Sequence, residues 1–295
     1  MLAQELRNNN WQYHPNARLS DEVFNIPSLL SDTLEYKHLL ANFLQKHHLN
    51  FAPATFYIDD NNYRTVINNL GPGPWILKPS LLNNGQHIKI FINKQEILTH
   101  YASAKRLGGP HVLQSYIHPP HLLQGPKKGH KYSLRMLVII IFPYAVFMYP
   151  QGYFNIALSP YEVNNMCSLV GHITNEHLNH DSVNVVQIPS EQYAIFKQFY
   201  PKIGHLLTQF FSKFAVLVDN SIHSKVAFLG VDFMLDSQEN LYLLEFNHGP
   251  CFPISAEHPL QNKLYKYFWQ ACYADIIPRL YHPTYNELKH FVQLY

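Results

Sequence analysis

Residues 229–247 constrain this chain more than any other stretch of it. They form two alternating runs, Leu229-Gly230-Val231-Asp232-Phe233-Met234-Leu235 and Leu241-Tyr242-Leu243-Leu244-Glu245-Phe246-Asn247, joined by polar residues, the pattern of an antiparallel β-hairpin. A tight turn centred on Gln238-Glu239 sets Asp232 directly opposite Glu245. Asn247 then follows on the same face, because side chains alternate with period two. Val231, Phe233 and Leu235 claim the core face, so Asp232 has no choice of side. Two carboxylates facing each other across a ladder, with apolar neighbours, are destabilising unless positive charge sits between them. An all-oxygen set of Asp, Glu and an Asn carbonyl suits magnesium, which takes one or two carboxylates and fills its shell with water and substrate phosphates. The pattern therefore points to nucleotide chemistry. The competing reading is a solvated hairpin whose acids keep an outer face soluble.

Bulk properties narrow the setting. The 295 residues are enough for one large domain or two modest ones. An apolar fraction of 47% with only 14% charged residues describes a packed globular protein, not a disordered one. With 22 basic against 20 acidic residues, nothing favours nucleic acid or an anionic membrane as a partner. Cys167, Cys251 and Cys272 are odd in number and widely spaced, so no disulfide framework or CxxC zinc site is available, and a reducing, cytoplasmic setting is expected. The first residues carry no apolar signal segment. The apolar run at 137–149 is interrupted by Pro143 and too short to span a bilayer.

Pattern changes along the chain divide it into three expected parts. Residues 1–70 read as a small N-terminal α/β unit with an Asn-rich start, a helix from Ser31 or Asp32 to about His47, and a strand at 50–58. The rigid junction Gly71-Pro72-Gly73-Pro74 opens a central lobe at 71–130, with strands near 75–78, 87–92 and 111–117 and a helix at 94–106. The C-terminal lobe, 131–295, carries long strands at 131–142 and 144–149, the hairpin, and helices near 190–213 and 257–273. Strands and helices mix without strict alternation, which predicts an α+β fold with much antiparallel sheet.

Several residues outside the hairpin stand out. Lys78 ends an apolar strand beside the loop Ser80-Leu81-Leu82-Asn83-Asn84-Gly85-Gln86, a possible phosphate cradle or an ordinary surface lysine. Lys131, Ser133 and Arg135 share one face of a strand that runs into a wholly apolar stretch, so the two cations need anions, either a polyphosphate or structural acids. Gly171-His172-Ile173-Thr174-Asn175 reads, on its residues alone, as a cap for the following turn. The histidine groups His118/His121 and His172/His177/His180 lack an HExxH or cysteine context, so zinc is not expected, and no GxSxG element supports nucleophilic hydrolysis.

Taken in chain order, Trp75-Ile76-Leu77-Lys78-Pro79-Ser80, Val112-Leu113-Gln114-Ser115-Tyr116-Ile117, Lys131-Tyr132-Ser133-Leu134-Arg135, residues 152–157, His172-Ile173-Thr174-Asn175, Gly230-Val231-Asp232-Phe233-Met234 and Leu244-Glu245-Phe246-Asn247 resemble the tubulin–tyrosine ligase family over about residues 37–273. That resemblance implies an ATP-grasp fold, with ATP between two α+β lobes and a carboxylate joined to an amine through an acyl phosphate. It implies that Lys78 and Lys131 contact phosphates, that Gln114, Tyr116 and Ile117 form the strand meeting adenine, and that Asp232, Glu245 and Asn247 hold Mg2+. Arg135, Thr174 and Asn175 would line the reaction centre, Arg135 stabilising charge on the acyl phosphate. The partners it implies are a free amino acid and a protein carboxylate, on tubulin or another acidic tail.

The chain also departs from the family pattern. Ser133 stands where an acidic residue is usual, Gln86 where the glycine-rich loop has a lysine, and Asn155 where an arginine follows the glycine turn. These departures leave two alternatives to a ligase: a degenerate nucleotide-binding or protein-interaction module, and a small-molecule kinase on the same fold.

Overall fold

The computed structural model describes residues 21–295 except 83, 84, 105, 167, 179–181, 254 and 282–287. The Asn-rich start, Asn83, Asn84, Cys167 and His180 therefore lie outside the described residues, as does the His177 side chain.

The chain begins with α1 (Asp21–Phe24), α2 (Ser28–Glu35), α3 (Lys37–Lys46), β1 (Thr55–Ile58) and α4 (Tyr63–Asn68). Next come β2 (Trp75–Pro79), β3 (Lys89–Phe91), α5 (Lys94–Ala102) and β4 (His111–Ser115). The remainder holds β5 (His130–Ile141), β6 (Ala145–Pro160), α6 (Leu169–His172), the short pair β7 (His177–Leu178) and β8 (Ser182–Val183), and β9 (Val185–Pro189). It closes with α7 (Ile195–Phe214), β10 (Val226–Leu235), β11 (Leu241–His248), α8 (Lys266–Ala271), α9 (Ile277–Tyr281) and β12 (Val292–Gln293). The strands build one four-stranded sheet in the order β1-β4-β2-β3 and one larger sheet in the order β11-β10-β5-β6-β12, with β9 also paired to β6. Every pairing is antiparallel, and the whole is an α+β fold of the ATP-grasp type.

Alternation decides what each sheet face meets. On β5 the even residues Tyr132, Leu134, Met136, Val138 and Ile140 enter the main core with α7, whose buried Phe196, Phe199, Ile203, Leu206, Leu207, Phe210, Phe211 and Phe214 recur at helical spacing. The odd residues Leu137, Ile139 and Ile141 pack instead beneath α8 with Leu264 and Phe268. Both faces are covered, which is why this strand reads as almost unbroken apolar sequence. Lys131, Ser133 and Arg135 lie on that second face, where the terminal helices no longer cover it and a cleft opens. In the smaller sheet Trp75, Leu77 and Leu113 pack against Ile97 and Tyr101 of α5, leaving Ile76, Lys78 and Gln114 toward the cleft.

One expectation about the N-terminal helix changes. The helix predicted over 31–47 is broken at Tyr36, whose backbone is extended (φ −81°, ψ 117°). The break lets Leu30 and Leu34 on one side, and Leu40, Phe43 and Leu44 on the other, reach the same core. In the segment before Gly71, β1 pairs with β4, and α2 and α3 pack into the main core with α7. No helix among the described residues is long and apolar enough to cross a membrane.

Candidate functional site

The cleft between the sheets holds a cavity of about 250 Å³ that adjoins a smaller one of about 60 Å³. Lys78, Thr174, Asn175, Ile88 and Leu244 line both. Arg135, Asp232, Glu245 and Asn247 line the larger space, and Gln114, Tyr116, Ile117 and Lys131 the smaller, where Ile76, Ile173 and Met234 make an apolar wall.

The acidic hairpin supplies one side. Asp232 pairs with Glu245 on β11 and with Arg135 on β5, so three charged side chains stand in a row across three strands. The ladder reaches this register in an unexpected way. Near the turn Leu235 pairs with Leu241, so the turn is centred on Gln238 and not between Gln238 and Glu239, and a bulge after Asp232 restores the offset. Asn247 falls opposite Gly230, and its amide donates to Asp232 at 3.4 Å. Gly230 gives the arginine room: a Cβ there would lie 3.1 Å from the Arg135 Cδ atom and press on the stem that carries the guanidinium.

Arg135 binds Asp232 with two parallel bonds, Nε to Oδ1 at 2.7 Å and Nη2 to Oδ2 at 2.6 Å. The positive charge that the facing carboxylates demand is thus supplied in part by the protein itself. It does not settle the balance. Burial and the facing Glu245 raise the Asp232 carboxyl, with Arg135 pulling the other way. Burial opposes ionisation of Glu245 too, but Lys37, Lys78 and Arg135 outweigh it and hold that carboxyl below its ordinary range. The buried Asp232 and half-buried Glu245 carboxylates, with an amide oxygen on an adjacent position, are a hard, all-oxygen donor set, which fits magnesium.

Cations complete the lining. Lys78 donates to the Gln114 carbonyl oxygen at 2.9 Å, and Gln114 in turn donates to Thr55 at 2.9 Å. Burial lowers the Lys78 pKa, countered by Glu245. Lys131 is only 2% exposed, and burial followed by repulsion from Lys78 depresses its pKa further. Among the described residues neither lysine forms a salt bridge with a carboxylate. Buried ammonium groups held by neutral acceptors alone make a place where an anion is strongly favoured.

Other expected residues sit differently from their sequence reading. β4 ends at Ser115, so Tyr116 and Ile117 follow it in irregular backbone, and the Tyr116 hydroxyl faces Lys131 at 2.8 Å. Thr174 and Asn175 lie beyond α6 on the cleft wall. Ser133, Asn155 and Gln86 all line the larger cavity, and Gln187 of β9 donates to Asn155 at 3.0 Å, so an uncharged amide pair stands beside Arg135's strand. His118, His121 and His172 each meet a tyrosine hydroxyl at 2.7–2.9 Å. Among the described residues, no cluster of three or more His, Cys, Asp or Glu side chains is placed to hold a metal ion.

Sequence reasoning missed Lys37, Glu35 and His172. Lys37 and Glu35 flank the Tyr36 break and line the cavity, and only the break brings them there. His172 offers its main-chain oxygen to Lys131 at 2.9 Å. No periodicity announces either arrangement.

The sequence profile of the tubulin-tyrosine ligase family matches residues 32–280. Among similar proteins, tubulin glycylase 3D of Tetrahymena thermophila is 26% identical over 205 residues, covering 62% of this chain and 19% of its own length. Protein polyglycylase TTLL10 of Macaca fascicularis is 23% identical, covering 70% and 39%, and probable tubulin polyglutamylase TTLL2 of Mus musculus is 24% identical, covering 69% and 41%. The chain thus spans between about a fifth and two fifths of the length of these relatives. With the profile extending over most of its residues, the chain belongs to the tubulin-tyrosine ligase family.

Proposed function

We propose that this chain is an ATP- and magnesium-dependent ligase that joins an amino acid to a carboxylate of a protein substrate. The observation that carries the reading is the charge arrangement of the cleft: Lys78 and Lys131 without carboxylate partners among the described residues, in adjoining cavities whose larger member the Asp232–Glu245 pair lines. Polyphosphate with a divalent cation complements both sides at once.

The chemistry suits such a site. A carboxylate is a poor electrophile until its oxygen is phosphorylated, and amine attack then releases phosphate as an amide forms. Lys78 and Lys131 would hold phosphate oxygens, with the apolar wall of Ile76, Ile173 and Met234 against the base. Arg135 would stabilise the negative charge that builds at the reacting carboxyl group, and Thr174 and Asn175 would orient substrate from the wall they line. Held by Asp232, Glu245 and Asn247, magnesium would neutralise phosphate charge. The relatives' names favour glycine or glutamate as the transferred residue and tubulin as one acceptor. Unpaired Cys251 and Cys272 fit a reducing, cytoplasmic setting.

The test has two stages. ATP with magnesium should raise the melting temperature of the wild type, and Glu245→Gln should abolish the rise. Incubation with ATP, single amino acids and tubulin should then add the mass of one amino-acid residue and release phosphate. A phosphorylated small molecule without such a gain would move the assignment to a kinase, and no thermal response in either protein would leave a binding module.

A further inference from the structure

We propose that Tyr116 and His172 are positioning residues that fix the Lys131 ammonium for a nucleotide's phosphates, so that they contribute to binding ATP but not to binding its nucleoside. The inference rests on the nucleotide reading above and concerns side chains that do not themselves need to touch the ligand.

Hydrogen-bond directions can be followed around the cluster. His172 Nε2 lies 3.1 Å from the main-chain oxygen of Glu162, which can only accept. That nitrogen therefore carries the proton, and Nδ1 of the neutral ring is an acceptor. The Tyr116 hydroxyl, 2.9 Å from Nδ1, donates to it and turns its own lone pairs toward Lys131. Lys131 Nζ donates to that hydroxyl at 2.8 Å and to the His172 main-chain oxygen at 2.9 Å. It also sits 4.1 Å from the centre of the Tyr116 ring.

Two of the three ammonium protons are thus assigned to neutral acceptors, and one is left together with an uncompensated charge. A lysine side chain normally loses much rotamer freedom when it binds an anion. Here the cost falls on folding, because Tyr116 and His172 already hold the group at the cleft wall. Burial, reinforced by Lys131, lowers the His172 pKa, which keeps the ring neutral and Nδ1 available. Tyr161 backs the arrangement, with its ring 4.6 Å from that of His172 and its hydroxyl bonded to His118 at 2.7 Å.

The experiment measures ATP–magnesium and adenosine affinities of the full chain side by side, by calorimetry and competition. Tyr116→Phe keeps the ring and its contact with the ammonium but removes the hydroxyl. It should weaken ATP about ten-fold, within the range for a hydrogen bond to a charged group, and leave adenosine unchanged within about two-fold. Lys131→Gln should show the same selective loss, and adding Tyr116→Phe to it should cost nothing more. His172→Leu should copy Tyr116→Phe, giving the same readout from a second position should the tyrosine variant fail to fold. Equal losses for ATP and adenosine would reveal a merely structural role and overturn the proposal, as would unchanged ATP affinity. A wild type that binds neither ligand would overturn the nucleotide reading itself, whereas one that binds both and ignores Tyr116→Phe would overturn this inference alone.

Discussion

Replacing Arg135 by glutamine should cost the fold about 3 kcal/mol at pH 8, and a large part of that cost should disappear on acidification. The guanidinium makes both of its bonds to Asp232 within 2.7 Å, and the two side chains are 20% and 9% exposed. Removing one partner from a buried pair costs about 3–5 kcal/mol, because the other charge stays behind without compensation. An arginine side chain that is one-fifth exposed favours the lower end. The variant leaves Asp232 directly opposite Glu245 with no cation in the row.

The sign of the pH effect follows from the folded-state shifts. In the wild type the Asp232 carboxyl is raised, so its ionisation destabilises the fold above its unfolded pKa, while the Glu245 carboxyl is lowered and stabilises it there. The two contributions oppose each other. Without Arg135 the Asp232 shift grows and Glu245 loses one of the cations that hold it down, so both move upward. The variant's native state then binds more protons than its unfolded state, and its stability falls as pH rises through the folded values. Urea unfolding of wild type and variant at pH 5 and pH 8 should show the deficit shrinking by at least about 1 kcal/mol at the lower pH. A deficit that is equal at both pH values, or below about 1 kcal/mol at pH 8, would refute the claim that this pair is held by charge across adjacent strands.

Three further outcomes follow from the structure. Gly152→Ala should destabilise by at least about 2 kcal/mol in urea titration, since a Cβ there would meet the Arg135 main-chain oxygen, which cannot move without disrupting the β5–β6 ladder. Asp275, 1% exposed, accepts the main-chain N–H groups of Lys289, His290 and Phe291 through one oxygen, so Asp275→Ala should cost about 2–4 kcal/mol and sharply raise amide exchange in residues 289–295. Asp236 is pushed up by burial but held below the ordinary carboxylate range by bonds from Asn240, Gln238 and Tyr242; its stabilisation is therefore present above the unfolded pKa and lost as pH falls, and Asp236→Asn should flatten that acid slope.

How far the site could be read from sequence differs from element to element. The opposition of Asp232 and Glu245 is legible because alternation within a hairpin is local, yet the turn beneath it is centred on Gln238 and not between Gln238 and Glu239. The extra residue, Leu244, follows another leucine and precedes Glu245, and a leucine pair by itself does not identify the bulge that brings the carboxylates back into register. The break at Tyr36 was invisible for a related reason. No proline or glycine interrupts residues 31–46, and the extended residue is stabilised by where Leu34 and Leu40 pack, not by its own preference. The end of β4 at Ser115 was likewise overrun, since Tyr116 and Ile117 suit a strand as well as any residue before them.

By itself the sequence determined the alternation of β5 and β10, hence that Lys131, Ser133, Arg135 and Asp232 leave the core together, and the pairing of Asp232 with Glu245. The tertiary structure alone decided which charge meets which. Arg135 reaches Asp232 across 97 residues of chain, Lys131 reaches the His172 main chain across 41, and Lys78 finds Gln114 across 36. Periodicity reports the face on which a side chain emerges, because that is set by the backbone of its own strand. The partner on that face is set by the register and packing of elements distant in the chain, and those arise from summed burial over the whole core, to which no local pattern corresponds.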